Sequence, residues 1–175
     1  ETELPFRVEA ALKLPGQAQF PPLQALAALA SELRSLSGTL VEGIRVSEVH
    51  HTDGGRVRVV TEPGDLEAGR VVLATGIPIL DRGGYFAVVK PQRSYASAFP
   101  ITGDVPEGMY LSADSPSRSL RTAVVNGNKY LLAGGNGHPV GRAAHTRDRV
   151  AGLHEWTRQH FPVEEARYDW SAQDY

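Results

Sequence analysis

A short apolar run near the middle of the chain constrains the fold more than any other feature. The segment Arg70–Gly76 holds four consecutive apolar residues, two of them the β-branched Val71 and Val72. This composition is typical of a short strand that is buried on both faces, and we predict that the strand ends at Thr75-Gly76. In α/β folds a nucleotide approaches the backbone at this end of a strand, and a glycine permits the approach. No G-x-G-x-x-G loop, which would grip a pyrophosphate, precedes it.

Composition excludes several classes of partner and site. The chain has 175 residues, of which 41% are hydrophobic and 22% charged, with a net charge of −2; this is enough for one domain or one and a half. The charge gives no footprint for nucleic acid or anionic lipid, and no apolar stretch reaches the roughly 18 residues of a membrane span. The absence of cysteine excludes disulfides and thiolate metal sites. We expect a cytoplasmic protein with neither nucleic-acid nor membrane partners.

Both ends of the sequence have the character of an excised piece. Glu1 is not an initiator methionine, and the aromatic, strand-like end at Tyr168–Tyr175 carries no polar tail. We therefore expect the chain to be part of a longer parent protein, with apolar surface exposed by the cuts and free to form a dimer.

The first half of the chain predicts one helix among short strands. Loose alternation over Leu4–Leu14 predicts an edge strand, and a leucine-rich stripe predicts a helix over Leu23–Leu36 that starts after Pro22 and stops at Gly38. A pair of strands follows, with a turn and a loop. The predicted segments are Thr39–Val49, the turn 52–55, Arg56–Thr61 and the loop 62–65.

The second half predicts an antiparallel sheet and a second helix. The predicted strands are Tyr85–Phe99, Gly108–Ser112, Ser119–Val125 and Lys129–Ala133, with a tight hairpin turn at 126–128. A helix over Thr146–His160 and a last strand complete the chain. The predicted fold class is α+β: an antiparallel sheet with flanking helices, one face packed on the second helix. We further predict that the first helix associates with the strand at 70–76.

Six ordered motifs carry a resemblance to a known family. They are Leu4-Pro5-Phe6 with 15–20, Val71–Gly76, Pro91–Tyr95, Ser117–Arg121, Leu131–His138 and Trp170–Asp174. In these motifs the chain resembles the D-amino-acid-oxidase-type flavoproteins (glycine oxidase, sarcosine oxidase and relatives), particularly the bacterial members that carry a Rieske domain after the oxidase. The resemblance implies a substrate-binding domain with one flank of an FAD domain, and FAD as the cofactor of the parent.

The same resemblance implies a division of the chain. Residues 1–22 would form an edge segment of the substrate domain, residues 23–80 the helix, hairpin and strand that flank the FAD domain, and residues 81–175 the antiparallel-sheet substrate-binding region. Because the glycine-rich loop is missing, we expect the 175 residues alone to lack FAD and to be inactive.

The candidate cofactor contacts are Val46, Thr75 and Gly76. The family's hairpin commonly touches the adenine through its backbone near the position of Val46, although a core valine is equally consistent with the pattern. Thr75 and Gly76 either contact the cofactor or simply end the strand.

The candidate substrate contacts lie mainly in the predicted sheet. Arg93 and Tyr95 are two residues apart and share a face, and we predict that Arg121 joins them on one open face, where a guanidinium pairs with a substrate carboxylate; the alternative is a solvated strand arginine. Gln17 and Gln19 also share a face. His138 follows a glycine cluster, and it either contacts substrate or is merely exposed in a loop.

No metal site and no catalytic residue is predicted. The histidines have no ligand spacing, and enzymes of the resembled type often act without a protein base. Two functions remain open: the substrate-binding portion of an FAD-dependent oxidoreductase for an amine or amino acid, or a stand-alone ligand-binding or scaffolding module without redox chemistry.

Overall fold

The computed structural model describes residues 2–77, 79–80, 83–141 and 146–175, which fall into two units. The larger unit combines Glu1–Ala11 with Ala87–Tyr175, and the smaller unit is Leu12–Phe86. The described helices and strands confirm the α+β class.

The described part of the larger unit contains a five-stranded antiparallel sheet and one helix. In chain order, its elements are β4 (Gln92–Pro100), β5 (Tyr110–Leu111), β6 (Arg118–Val125), β7 (Asn128–Pro139), α2 (Thr146–His160) and β8 (Tyr168–Asp174). The strands lie in the order β5-β6-β7-β4-β8. The sheet and the bounds of α2 agree with the prediction, although β7 extends six residues further than predicted.

A two-residue turn sets the pairing of β6 with β7. Val125 pairs with Asn128, and the intervening Asn126 and Gly127 have φ values of 51° and 79°. Asparagine and glycine are the residues that tolerate these positive φ angles in a tight hairpin. The predicted hairpin is confirmed.

The core lies between this sheet and α2. Phe99 of β4, Leu131 of β7 and Leu153 of α2 are completely buried and belong to one cluster. Leu4 and Phe6 pack against this cluster, and the Phe6 ring lies 5.9 Å from that of Trp156 in an edge-to-face arrangement. The amino-terminal segment therefore contributes side chains to the core of the larger unit.

The smaller unit has α1 (Pro22–Ser35) and a sheet of β1 (Val46–His51), β2 (Val57–Thr61) and β3 (Leu66–Ala68), in the order β1-β2-β3. The helix ends as a Schellman motif, in which Gly38 N–H donates to the Leu33 carbonyl and Ser37 N–H to that of Arg34. The positive φ of 63° falls on Ser37. Gly38 is needed for a different reason: a Cβ atom there would lie 2.8 Å from the backbone oxygen of Leu33 and would also collide with the Leu33 side chain.

Several predicted strands are wrong. Leu4–Leu14 is irregular, the first strand of the hairpin begins at Val46 instead of Thr39, and Tyr85–Ala87 is a 3-10 turn ahead of β4. The segment 70–76 contains no strand, and Val72 is 88% exposed. A buried strand needs neighbours that accept its backbone hydrogen bonds, and the small sheet ends at β3.

The predicted association of α1 with that segment is also absent. No residue of α1 is buried, and its leucines at 23, 26, 29 and 33 are exposed, as is the C-cap residue Leu36. An exposed apolar stripe has nothing to pack on when the strand that it would cover does not form. Among the described residues, neither helix is long and apolar enough to cross a bilayer.

Candidate functional site

The register of the sheet separates the predicted substrate residues onto two faces. Arg93 pairs with Gln173 and Tyr95 with Ser171 across β4 and β8, whereas Arg121 pairs with Leu132. Leu132 in turn pairs with Ala98, which alternates out of phase with Tyr95 and Arg93. Arg121 therefore lies on the face opposite to Arg93 and Tyr95. The prediction that the three line one face is wrong, and a carboxylate anchor shared by Arg93 and Arg121 is ruled out.

Tyr95 lies on the face that α2 covers, which we call the helix face. Its hydroxyl is 2.9 Å from His138 Nε2, and the His138 Nδ1 is 2.9 Å from the Pro139 carbonyl oxygen. Because a carbonyl can only accept, Nδ1 carries a proton, and in a neutral ring Tyr95 donates to Nε2. Tyr95 and His138 are both buried, so His138 is not in an exposed loop and both its nitrogens are engaged.

Arg93 lies at the end of the helix face, next to the edge strand. Its guanidinium is 3.4 Å from Ser171 Oγ and 3.5 Å from Gln173 Oε1. Both distances are at the outer limit for hydrogen bonds. Arg93 is thus weakly tied to β8, and its role in substrate binding stays a prediction.

The other face, which we call the open face, has no described helix of the larger unit packed on it. One row across the strands is Arg121, Leu132, Ala98 and Tyr168, and the next is Ser119, Gly134, Ala96 and Trp170. Because Ser119, Gly134 and Ala96 have small side chains, little rises above the backbone in the middle of the second row. Arg121 and the aromatic residues of β8 therefore stand on either side of a shallow floor.

Arg121 places a positive charge on this face. It is partly buried, and no hydrogen bond or ion pair of its guanidinium is found among the described residues. Tyr168 and Trp170 remain 56% and 44% exposed. An arginine whose guanidinium has no protein partner can donate two parallel hydrogen bonds to a carboxylate.

A polar network on the helix face holds the edge strand, and sequence reasoning missed it. Ser97 Oγ donates to Asp169 Oδ1 at 2.6 Å, and His154 Nε2 lies 2.7 Å from the same oxygen. Ser97 is fully buried in β4, and Phe99 holds the His154 ring edge-on at 5.3 Å between ring centroids. Three residues from β4, α2 and β8 meet here only through folding, and no spacing along the chain signals the contact.

The network determines the acidity of Asp169. Partial burial by itself raises the pKa of this carboxyl, but the hydrogen bonds from Ser97 and His154 and the charge of the imidazole outweigh it and lower the pKa below the ordinary value. The arrangement is not a nucleophilic triad, because the serine hydroxyl is inaccessible and donates directly to the carboxylate.

In the smaller unit, Val46 lies at a groove beside a strand irregularity. The groove has a volume of about 450 Å³, and its lining residues are Arg45, Val46, Ser47, Glu62 and Ile79. The pairing of β1 with β2 shifts between Val46 and Glu48, and such bulges redirect backbone groups away from the ladder. The predicted adenine contact therefore stands at a concave surface and not in a core.

Thr75 and Gly76 lie outside regular structure. Thr75 Oγ1 donates to the Ile77 carbonyl at 2.7 Å. A Cβ atom built on Gly76 would meet no described atom within 4 Å, and the φ of this glycine is not positive. The described part of the chain thus does not require glycine here and leaves the space beside it open.

Gln17 and Gln19 lie in an exposed irregular segment before α1. They belong to the smaller unit, whereas the sheet residues belong to the larger one. Their predicted contact with substrate stays a prediction. Across residues 2–77, 79–80, 83–141 and 146–175, no group of three or more acidic or histidine side chains has the geometry to hold a metal ion.

Comparisons with known proteins place this architecture among flavoenzymes. A family model described as FAD dependent oxidoreductase matches residues 1–173. A curated relative from Bacillus subtilis (strain 168), named "Putative Rieske 2Fe-2S iron-sulfur protein YhfW", is 34% identical over 173 residues. These residues are 98% of this chain and 34% of the relative, so the chain spans about a third of the relative's length.

Two solved structures share the fold. A mutant of NikD, described as an unusual amino acid oxidase essential for nikkomycin biosynthesis, superposes with a TM-score of 0.65 at 20% identity over 85% of this chain and 42% of its own. Glycine oxidase from Geobacillus kaustophilus gives 0.64 at 19% identity over 85% and 40%. At these identities the likeness concerns the fold alone.

Proposed function

The chain belongs to the family of FAD dependent oxidoreductases, and from this we propose that it forms the substrate-binding portion of an enzyme that oxidises an amine or an amino acid. The observation that carries the proposal is the difference between the two faces of the five-stranded sheet. One face is filled by α2, whereas the open face presents Arg121, a floor of small residues and two aromatic rings. A sheet face of this kind suits a small polar ligand between the protein and a flat cofactor.

The residues of the smaller unit fit one flank of FAD. The groove beside Val46 offers backbone groups at a bulge and the charged side chains of Arg45 and Glu62. The open space at Gly76 admits a ligand close to the backbone. The pyrophosphate would have to be held elsewhere in the complete enzyme, because this sequence has no G-x-G-x-x-G loop.

The task of the open face would be to orient the substrate. Arg121 would hold a carboxylate through its planar guanidinium, a geometry that a lysine ammonium does not reproduce. Tyr168 and Trp170 would cover the apolar part of the substrate and exclude water. FAD, when bound, supplies the oxidant that takes a hydride from the carbon next to the substrate nitrogen.

The complete protein tests this proposal directly. We expect it to purify with the visible absorbance bands of a flavin, and we expect glycine, sarcosine, D-alanine or D-phenylalanine to bleach these bands in the absence of oxygen. Anaerobic bleaching reports the oxidation itself and does not depend on the natural electron acceptor. A complete protein that carries no flavin and cannot be reconstituted with FAD would favour the alternative, a binding or scaffolding module without redox chemistry.

A further inference from the structure

The strand β8 is attached to the sheet along one edge only. Its pairing partner among the described strands is β4, and all seven of its residues are exposed. Adjacent side chains of a strand point to opposite faces. Tyr168 and Trp170 therefore lie on the open face, with Asp169 between them on the helix face.

Asp169 makes the strongest side-chain attachment found for the described part of β8. Its carboxylate oxygen is within 2.7 Å of both Ser97 Oγ and His154 Nε2. By contrast, Arg93 reaches Ser171 and Gln173 at 3.4 Å and 3.5 Å. The Asp169 distances are those of short bonds to an ionised carboxylate, whereas the Arg93 distances are at the outer limit for any hydrogen bond.

The two partners of Asp169 are themselves fixed. Ser97 is fully buried in β4, and the ring of His154 packs edge-on against the core residue Phe99. A carboxylate held by two immobile donors fixes its own Cα position, and with it the positions of the residues on either side. The ring of Tyr168 also lies near that of Tyr130, with 6.2 Å between the ring centroids.

We propose that Asp169 is a positioning residue, which acts through Ser97 and His154 to fix where Tyr168 and Trp170 stand on the open face. The part of this inference that concerns substrate rests on the proposed function, since only then is the open face a substrate face. Asp169 itself faces away from that side and would not touch the substrate.

Hydrogen–deuterium exchange on the complete protein tests the anchoring. In Asp169→Ala, we expect amides of residues 168–174 to exchange about tenfold faster, as the loss of a charge-assisted hydrogen bond predicts, while residues 118–125 stay unchanged. Asp169→Asn keeps an oxygen that accepts from both donors and should restore most of the protection. The matched control is Asp174→Ala, because the hydrogen bond found for the Asp174 carboxylate among the described residues is the one from the Tyr175 N–H. Unchanged exchange at 168–174 in Asp169→Ala would overturn the proposal.

A mutant cycle tests whether Asp169 acts through Trp170. For the most active amine of the panel above, we expect Asp169→Ala and Trp170→Leu each to raise KM about tenfold with kcat within about twofold, and the double variant to add nothing further. Additive effects would contradict action through Trp170. Should no amine bleach the flavin, the proposed function fails, whereas the exchange data still decide whether Asp169 fixes the strand.

Discussion

At the scale of single residues, the two arginines of the sheet carry different expectations. Arg121 stands on the open face without a described partner, whereas Arg93 lies on the helix face beside Ser171 and Gln173. One carboxylate cannot bridge residues on opposite faces of a sheet. A substrate carboxylate could therefore pair with Arg93 or with Arg121, but not with both. The position of Arg121 on the open face makes it the better candidate.

We expect Arg121→Lys in the complete enzyme to raise KM about tenfold for carboxylate-bearing amines and to spare plain amines, because two parallel hydrogen bonds become one. The measurement is the substrate dependence of anaerobic flavin reduction. Arg147→Lys, on the exposed first turn of α2, is the control. If the change in KM follows Arg93→Lys instead, the open face is not the substrate face.

Gly38 is the second residue with a sharp expectation. In Gly38→Ala, the new Cβ atom would collide with the side chain and carbonyl of Leu33 and open the end of α1. We expect a loss of about 1–3 kcal/mol, the usual cost of overpacking, and lower helicity by circular dichroism. Gly54→Ala is the matched control, since its Cβ meets nothing within 4 Å and its φ is not positive. Equal stability of both variants would contradict the role of Gly38.

At the scale of elements, the attachment of β8 depends on pH. The folded state lowers the pKa of Asp169 below the ordinary carboxyl value of 3.8. Its contribution to stability is therefore fully present above that value and is lost as the pH falls through the lower, folded-state pKa. Protonation of this carboxyl removes the negative charge that strengthens its hydrogen bonds with Ser97 and His154.

We expect the stability difference between the wild type and Asp169→Asn to be largest near neutral pH and to shrink below about pH 4. Urea unfolding at a series of pH values measures it. The same series with Asp174→Asn shows what removal of a carboxylate from β8 does without the network. A difference that grows toward acid would contradict the sign of the pKa shift.

At the scale of the whole molecule, we expect the 175 residues to carry only part of the proposed cofactor site. In the proposed cofactor site, the groove at Val46 and the space at Gly76 would contact one flank of FAD, and the sequence has no G-x-G-x-x-G loop to hold the pyrophosphate. We expect the 175 residues by themselves not to retain FAD through gel filtration, with absorbance of the eluted protein as the measurement. Stoichiometric flavin in the protein peak would contradict this expectation.

The sequence by itself determined the features that depend on neighbouring residues. The bounds of α2, the body of α1 and the turn at Asn126-Gly127 followed from apolar spacing, proline and the φ preferences of single residues. The α+β class followed from these elements, and the motifs placed the chain among flavoenzymes, which the family comparison confirmed.

Only the tertiary structure decided the features that depend on distant segments. The hairpin turn fixes β6 against β7, but the pairing of β7 with β4 passes through a bulge between Arg93 and Tyr95, and nothing local gives the face of Arg121 relative to Arg93. The contact of Ser97 with Asp169 joins residues 72 positions apart. The segment 70–76 has the composition of a buried strand, but a strand forms only where others supply its hydrogen bonds, and composition does not supply the neighbours.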